Sequence, residues 1–179
     1  LVQRGATLID ADEIVREFQK PGQPVFEAML KYWGNVIVDA DGVLDRRAVA
    51  SRVFSNTEEL ETLNNIVHPP VSKEIQRRRE QLRGKNGIVV LDIPLLVEGN
   101  VGDLDGVIVV DTEVEIAVER LVAERGFTEN DVRSRIAIQT TREHRREIAD
   151  FVIANHGSFV ELEGEVERCW VWIQTLKRP

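Results

Sequence analysis

Four short apolar segments interrupt an otherwise mixed sequence, at residues 6–9, 88–93, 107–110 and 151–153. Each is rich in Val, Ile or Leu, and none alternates cleanly with polar residues. Such runs predict strands covered on both faces, as in a parallel α/β sheet. Three of them close on small polar or acidic residues: Asp10-Ala11-Asp12 after the first, Asp92 within the second and Asp111-Thr112 after the third. The fourth runs into Ala154-Asn155-His156-Gly157. Parallel sheets place their ligands at the carboxyl ends of their strands.

The stretches between these segments carry helical periodicity. Leu60, Leu63, Ile66 and Val67 fall on one helical face, and Asn56 three residues before Glu59 predicts a capping-box start. Pro69 and Pro70 predict a break in that helix and the opening of another that runs to about Arg83. Thr112 ahead of Glu113 and Glu115 predicts an N-cap with an acidic first turn, and Gly126 a stop after Arg125. Thr128 opens a further helix with Val132, Ile136 and Gln139 at 3–4 spacing, and Ser158 a final amphipathic one to about Leu176. From 20 to 85 the chain reads as helices and turns, far longer than a simple crossover. A smaller excursion spans about 113–150. The expected architecture is an α/β core with two helical appendages.

Composition narrows the function classes. The 179 residues are 42% hydrophobic, enough for a real core, and 23 Lys and Arg against 31 Asp and Glu leave a net charge of −8. That balance argues against broad binding to nucleic acid or an anionic membrane, both of which need a cationic footprint. No apolar run approaches the about 20 residues needed to cross a bilayer. The first residues lack the basic-then-apolar order of a signal peptide, so the cytoplasm is the expected location. Cys169 is the only cysteine, which removes any internal disulfide and, with three histidines, argues against structural zinc. A half-buried thiol on the last helix is expected there.

The candidate chemistry lies at strand ends. If the chain stays extended through Asp12, residues i and i+2 point the same way, so Asp10 and Asp12 share a face. One can then serve as a base while the other orients it or holds metal-bound water. The competing use is capping of a helix that starts near Glu13. Arg120, Arg125, Arg133, Arg135, Arg142, Arg145 and Arg146 form a local reversal of sign on an acidic chain. Guanidinium forks match phosphate oxygens. About half of these arginines are expected to serve only a solvated face, paired with Glu119, Glu124, Glu143 and Glu147. The run Arg77-Arg78-Arg79 is read the same way, with contact to a phosphorylated substrate as its alternative. The hydrophobic segment closing on Asp92 resembles a Walker B element, whose carboxylate holds magnesium through water. Pro94-Leu95-Leu96 reads as an apolar ledge, His68 as a local hydrogen-bonding residue, and His144 and His156 lack a partner pattern for nucleophilic catalysis.

Several ordered motifs together resemble dephospho-coenzyme A kinases. They are Gly5-Ala6-Thr7-Leu8-Ile9-Asp10-Ala11-Asp12 with Ile14 and Arg16, Pro21-Gly22 and Asp41-Gly42-Val43-Leu44-Asp45-Arg46. Ile66-Val67-His68-Pro69, Asp92-Ile93-Pro94-Leu95-Leu96-Val97-Glu98, Gln139 with Arg145, and Val152-Ile153-Ala154-Asn155-His156-Gly157 continue the match to about Gly157. The resemblance implies an α/β fold: a three-layer, parallel-sheet P-loop NTPase-like core with a helical substrate-binding domain and a helical lid. The core would comprise 1–12, 86–112 and 150–179, the coenzyme-binding domain 13–85 and the lid 113–149. The implied reaction is ATP-dependent phosphorylation of the ribose 3′-hydroxyl of dephospho-CoA, the last step of coenzyme A synthesis, with ATP and Mg²⁺ as cofactors. By the same resemblance Asp12 accepts the hydroxyl proton. Asp10, Arg16, His68, Pro94 and Leu95 match the substrate side; Arg120, Gln139 and Arg145 match lid positions near ATP, and Asn155 and Gly157 the adenine-side loop. Asp92 is the candidate for the metal.

The family opens with a strand and a GxxxxGK[ST] loop, and no such motif occurs from Leu1 to Pro179. The expectation is that the loop precedes Leu1, because deleting a central strand would bare two strand edges. A chain without it is expected to bind ATP poorly and to act as a coenzyme- or nucleotide-binding regulatory module. Another nucleotide or nucleoside kinase of the same fold is the second alternative.

Overall fold

The computed structural model describes residues 1–53, 56–85, 87–94, 102–137 and 139–176. It comprises two compact units, Val2–Pro94 and Leu95–Pro179, the second taking in Leu1.

In the first unit β1 (Thr7–Asp10) pairs in parallel with β2 (Val89–Asp92), in a register that sets Thr7 beside Val89 and Asp10 beside Asp92. Helices α1 (Ala11–Phe18), α2 (Pro24–Trp33), α3 (Arg46–Val53) and α4 (Thr57–Leu82) complete it. The core is centred on Ile14, Val25, Met29 and Ile37, all fully buried. The Asp41–Arg46 motif forms a turn and a cap. Val38 and Leu44 make an antiparallel bridge, the Asp39 carboxylate accepts the N–H groups of Asp41 and Val43 at 3.0 and 2.9 Å, and Gly42 supplies φ +74°. The Asp45 carboxylate then accepts from Arg47 and Ala48 and caps α3.

Helix α4 corrects one expectation: it runs unbroken for 26 residues through Pro69 and Pro70. Each proline removes an i→i−4 hydrogen bond and crowds the preceding turn, at about 3 kcal/mol apiece. Val67, Val71 and Ile75 are buried along one face of the same helix, in the cluster formed with α1, α2 and α3. Burying three such side chains yields about 1.5–3 kcal/mol each, which offsets the local penalty. Asn56 caps α4 by accepting from Glu58 and Glu59 at 2.9 and 3.3 Å. The box is not closed, because the Glu59 carboxylate accepts the Trp33 indole N–H at 2.6 Å instead.

In the second unit β3 (Ile108–Asp111) pairs in parallel with β4 (Phe151–Ala154). The helices are α5 (Val114–Arg125), α6 (Glu129–Ala137), α7 (Arg142–Glu147) and α8 (Phe159–Thr175). Gly126 ends α5 in the left-handed conformation, φ 66° and ψ 21°. Thr112 does not cap α5: Glu113 holds the N-cap position without a side-chain bond, and the buried Thr112 hydroxyl has no partner among the described residues. The helix starts one residue later than expected, which puts the hydroxyl out of reach of the first-turn N–H groups. Ser158 and Glu161 form a reciprocal capping box on α8. Cys169 is wholly buried rather than half-buried, and burial raises its thiol pKa.

The strands are covered less completely than their apolar runs predict. Ile9 and Ile153 are buried, but Leu8 is 44% and Val110 61% exposed. The exposure does not follow a face of the sheet: Val110 and its buried register partner Ile153 lie on the same side, as do exposed Thr7 and buried Ile9.

Candidate active site

The acidic candidates meet at the carboxyl end of the β1–β2 pair. β1 ends at Asp10, whose carboxylate accepts the Glu13 N–H at 3.0 Å and caps α1. The helix therefore begins at Ala11, and Asp12 occupies its first turn instead of continuing an extended strand. This overturns the expected shared face of Asp10 and Asp12; capping bends the chain before the second acid. The positive end of the helix macrodipole favours both carboxylates there. Asp92 is the register partner of Asp10. Its carboxyl is held above the ordinary value, first by desolvation and then by the charges of Asp10 and Asp12. Arg16 lies exposed in the last turn of α1, His68 exposed on α4 and Pro94 just beyond β2. No hydrogen bond or ion pair joins these three to the acids among the described residues. Leu95 lies outside the described residues.

The cationic candidates lie in the second unit. Arg120, on α5, donates from Nη1 to the Asn155 carbonyl and side-chain oxygens at 2.8 and 3.1 Å, and from Nη2 to the Gly157 carbonyl at 3.3 Å. Three candidates are thus brought together, with the guanidinium fastening the β4–α8 connection. Gln139 is exposed just after α6, where its N–H bonds the Ile136 carbonyl. Arg145, on α7, donates to the Thr140 carbonyl. Gln139 thus lies in the α6–α7 connection and Arg145 within α7.

The other arginines find partners that sequence spacing did not assign. Arg133 bonds Glu115 and Glu129, and the Arg135 guanidinium lies 4.9 Å from the centre of the Phe127 ring. Arg142 makes a two-pronged contact with Asp111, Nε and Nη2 each at 2.7 Å, and Arg146 Nη1 joins at 2.5 Å. Asp111, only 3% exposed, is kept below the usual carboxylate range mainly by Arg142, with Arg146 assisting against burial. By sequence Asp111 reads only as the end of a strand. The one available signal was an acid closing a strand ahead of an arginine-dense stretch. Arg77 and Arg78 have the structural role expected of them: both bind Glu74, and Arg78 also reaches Glu17.

Among the described residues no group of three or more His, Cys, Asp or Glu side chains is arranged to chelate a metal ion. Nor is any helix among them long and apolar enough to cross a membrane.

Comparison with known proteins covers both stretches of sequence. The family model CoaE, described as dephospho-CoA kinase, matches residues 1–161. The dephospho-CoA kinase of Thermobifida fusca is 42% identical over 175 residues, covering 97% of this chain and 87% of the relative. That of Streptomyces avermitilis is 43% identical over 171 residues, covering 95% and 83%. Among solved structures, TT1252 from Thermus thermophilus superposes with a TM-score of 0.79 at 30% identity, covering 96% of this chain and 87% of that one. The dephospho-CoA kinase from Campylobacter jejuni shares the fold, with a TM-score of 0.67 at 23% identity over 96% of this chain and 87% of its own. The chain belongs to the dephospho-CoA kinase family.

Proposed function

We propose that this protein transfers the γ-phosphoryl group of ATP to the ribose 3′-hydroxyl of dephospho-CoA, giving coenzyme A and ADP in the last step of coenzyme A synthesis. The observation that carries this reading is the family match over residues 1–161, which spans the strand-end acids and the arginine-dense helices alike.

Phosphoryl transfer asks the protein mainly for positioning and charge neutralisation. Asp12, exposed in the first turn of α1, is the proposed acceptor of the hydroxyl proton. Asp10 is the proposed organiser of that turn, and Arg16, His68, Pro94 and Leu95 the proposed contacts for the coenzyme. Arg120, Gln139 and Arg145 are assigned to ATP, with Asn155 and Gly157 on the adenine side; Arg120 acts there by holding the loop that carries the latter two. The corresponding division is a P-loop-type, three-layer core (1–12, 86–112, 150–179), a coenzyme-binding domain (13–85) and a lid (113–149). Asp92 is the proposed magnesium contact: its carboxyl is held above the ordinary value first by desolvation and then by the charges of Asp10 and Asp12, and a cation there would favour its charged form. When bound, the ion neutralises charge on the phosphates.

The test is ADP release by the full natural protein with ATP and a panel of acceptors. Turnover with dephospho-CoA, and little with nucleosides or nucleoside monophosphates, is the expected result. Preference for a nucleoside acceptor reassigns the substrate; binding of dephospho-CoA without turnover identifies a binding module.

A further inference from the structure

Helix α7 has a construction unlike its neighbours. It is six residues long, Arg142–Glu147, and contains no buried residue. A helix that short is not stable by itself, and tertiary packing normally holds it through an apolar face. Here the apolar face is missing and a charged contact takes its place.

Arg142 and Arg146 are four residues apart, on the same side of α7. Both converge on Asp111 at the end of β3, Arg142 through two parallel 2.7 Å hydrogen bonds and Arg146 through one to Oδ2. The carboxylate is 3% exposed, against 30% for Arg142 and 49% for Arg146. A buried carboxylate saturated by two guanidiniums fixes orientation as well as distance, because the bidentate fork has one preferred plane. The helix is also pinned at its start, where Thr141 Oγ1 accepts the His144 N–H. Arg145 stands between the two arginines, and its donation to the Thr140 carbonyl engages one terminal nitrogen.

We propose that Asp111 is a positioning residue for nucleotide binding: it holds α7 on the end of β3 through Arg142 and Arg146, and so fixes where Arg145 presents its charge. This rests on the assignment of Arg145 to ATP. Asp111 is the partner that prevents Arg142 and Arg146 from repelling each other and Arg145 in a helix with three cations in five residues. It does not touch the reacting atoms.

The experiment compares the full natural protein with its Asp111→Asn, Arg145→Gln and double variants. ADP affinity is measured by titration calorimetry, and KM for ATP and for dephospho-CoA by steady-state kinetics. Asp111→Asn is expected to weaken ADP binding and raise KM for ATP by about tenfold, the scale of one charge-assisted contact. KM for dephospho-CoA should stay within about twofold and kcat within about threefold, since chemistry is untouched. The double variant should be no weaker for ADP than Arg145→Gln alone, because a residue acting through another shows no additional loss once that other is gone. Additive losses, or equal changes in both KM values, overturn the proposal. If Asp111→Asn fails to fold by circular dichroism, Arg142→Gln with Arg146→Gln removes the same latch from its exposed side, under the same expectations. Wild-type protein that turns over no dephospho-CoA but binds ADP refutes the kinase reading while the binding arm still decides the role of Asp111.

Discussion

Asp12 shows how a single residue's position limits its chemistry. Its carboxylate sits in the first turn of α1, and Asp10 has already taken the cap, so the two acids have separate duties. In the proposed kinase, Asp12→Asn keeps the shape of the side chain and removes the proton acceptor. Turnover should fall by about 10²–10⁴-fold, the range for loss of a general base, with less than about threefold change in KM for either substrate. Turnover within a factor of a few of wild type would refute the assignment. At this scale the sequence exposed which residues were chemically unusual, but not their geometry. Two acids spaced i, i+2 read as a shared face only if the strand continues, and a 3.0 Å cap decides that it does not. Asp111 was overlooked for the converse reason: its partners lie 31 and 35 residues later, beyond any local pattern.

The elements divide along the same line between local and distant causes. The four strands fall within about one residue of their apolar runs, and α8 within one of its Ser158 start, because β-branched runs and caps are local signals. Helix α4 was misjudged because its proline penalty is local while its compensation, the burial of Val67, Val71 and Ile75, arises from helices elsewhere in the chain. That imbalance is measurable. Pro69 is exposed within α4, so Pro69→Ala can restore a backbone hydrogen bond without disturbing the core. Recovery of part of the roughly 3 kcal/mol penalty, less the up to about 1 kcal/mol that proline contributes by stiffening the unfolded chain, predicts a gain of about 1–2 kcal/mol. Urea unfolding should show a higher midpoint with an unchanged slope. A lower midpoint would mean that the ring of Pro69 makes packing contacts worth more than the missing bond.

Over the whole molecule, a net charge of −8 conceals opposing local arrangements of carboxylates, and pH separates them. Glu74 accepts from Arg77 and Arg78, which lower its pKa from 4.5 to about 2. Its contribution is present above the unfolded value and disappears as pH falls through that interval; Asp111, also lowered, acts with the same sign. Asp92 runs the other way. Its native carboxyl binds a proton more tightly than the unfolded one, so it costs nothing at low pH and destabilises the fold as pH rises through its raised native value. Asparagine mimics the protonated acid. Asp92→Asn should therefore raise the thermal midpoint at pH 7, with a gain that shrinks to nothing as pH drops below the ordinary value of 3.8. Glu74→Gln should lower the midpoint at pH 7 and flatten the decline between pH 4.5 and 2. A gain from Asp92→Asn that persisted unchanged at low pH would show that packing, not the desolvation of the charged carboxylate and its repulsion by Asp10 and Asp12, was responsible. The magnesium assignment would then lose its electrostatic basis, because it depends on Asp92 being an unrelieved charge at neutral pH. The pH profile of this one neutral substitution therefore bears on the chemistry of the site as well as on the stability of the fold.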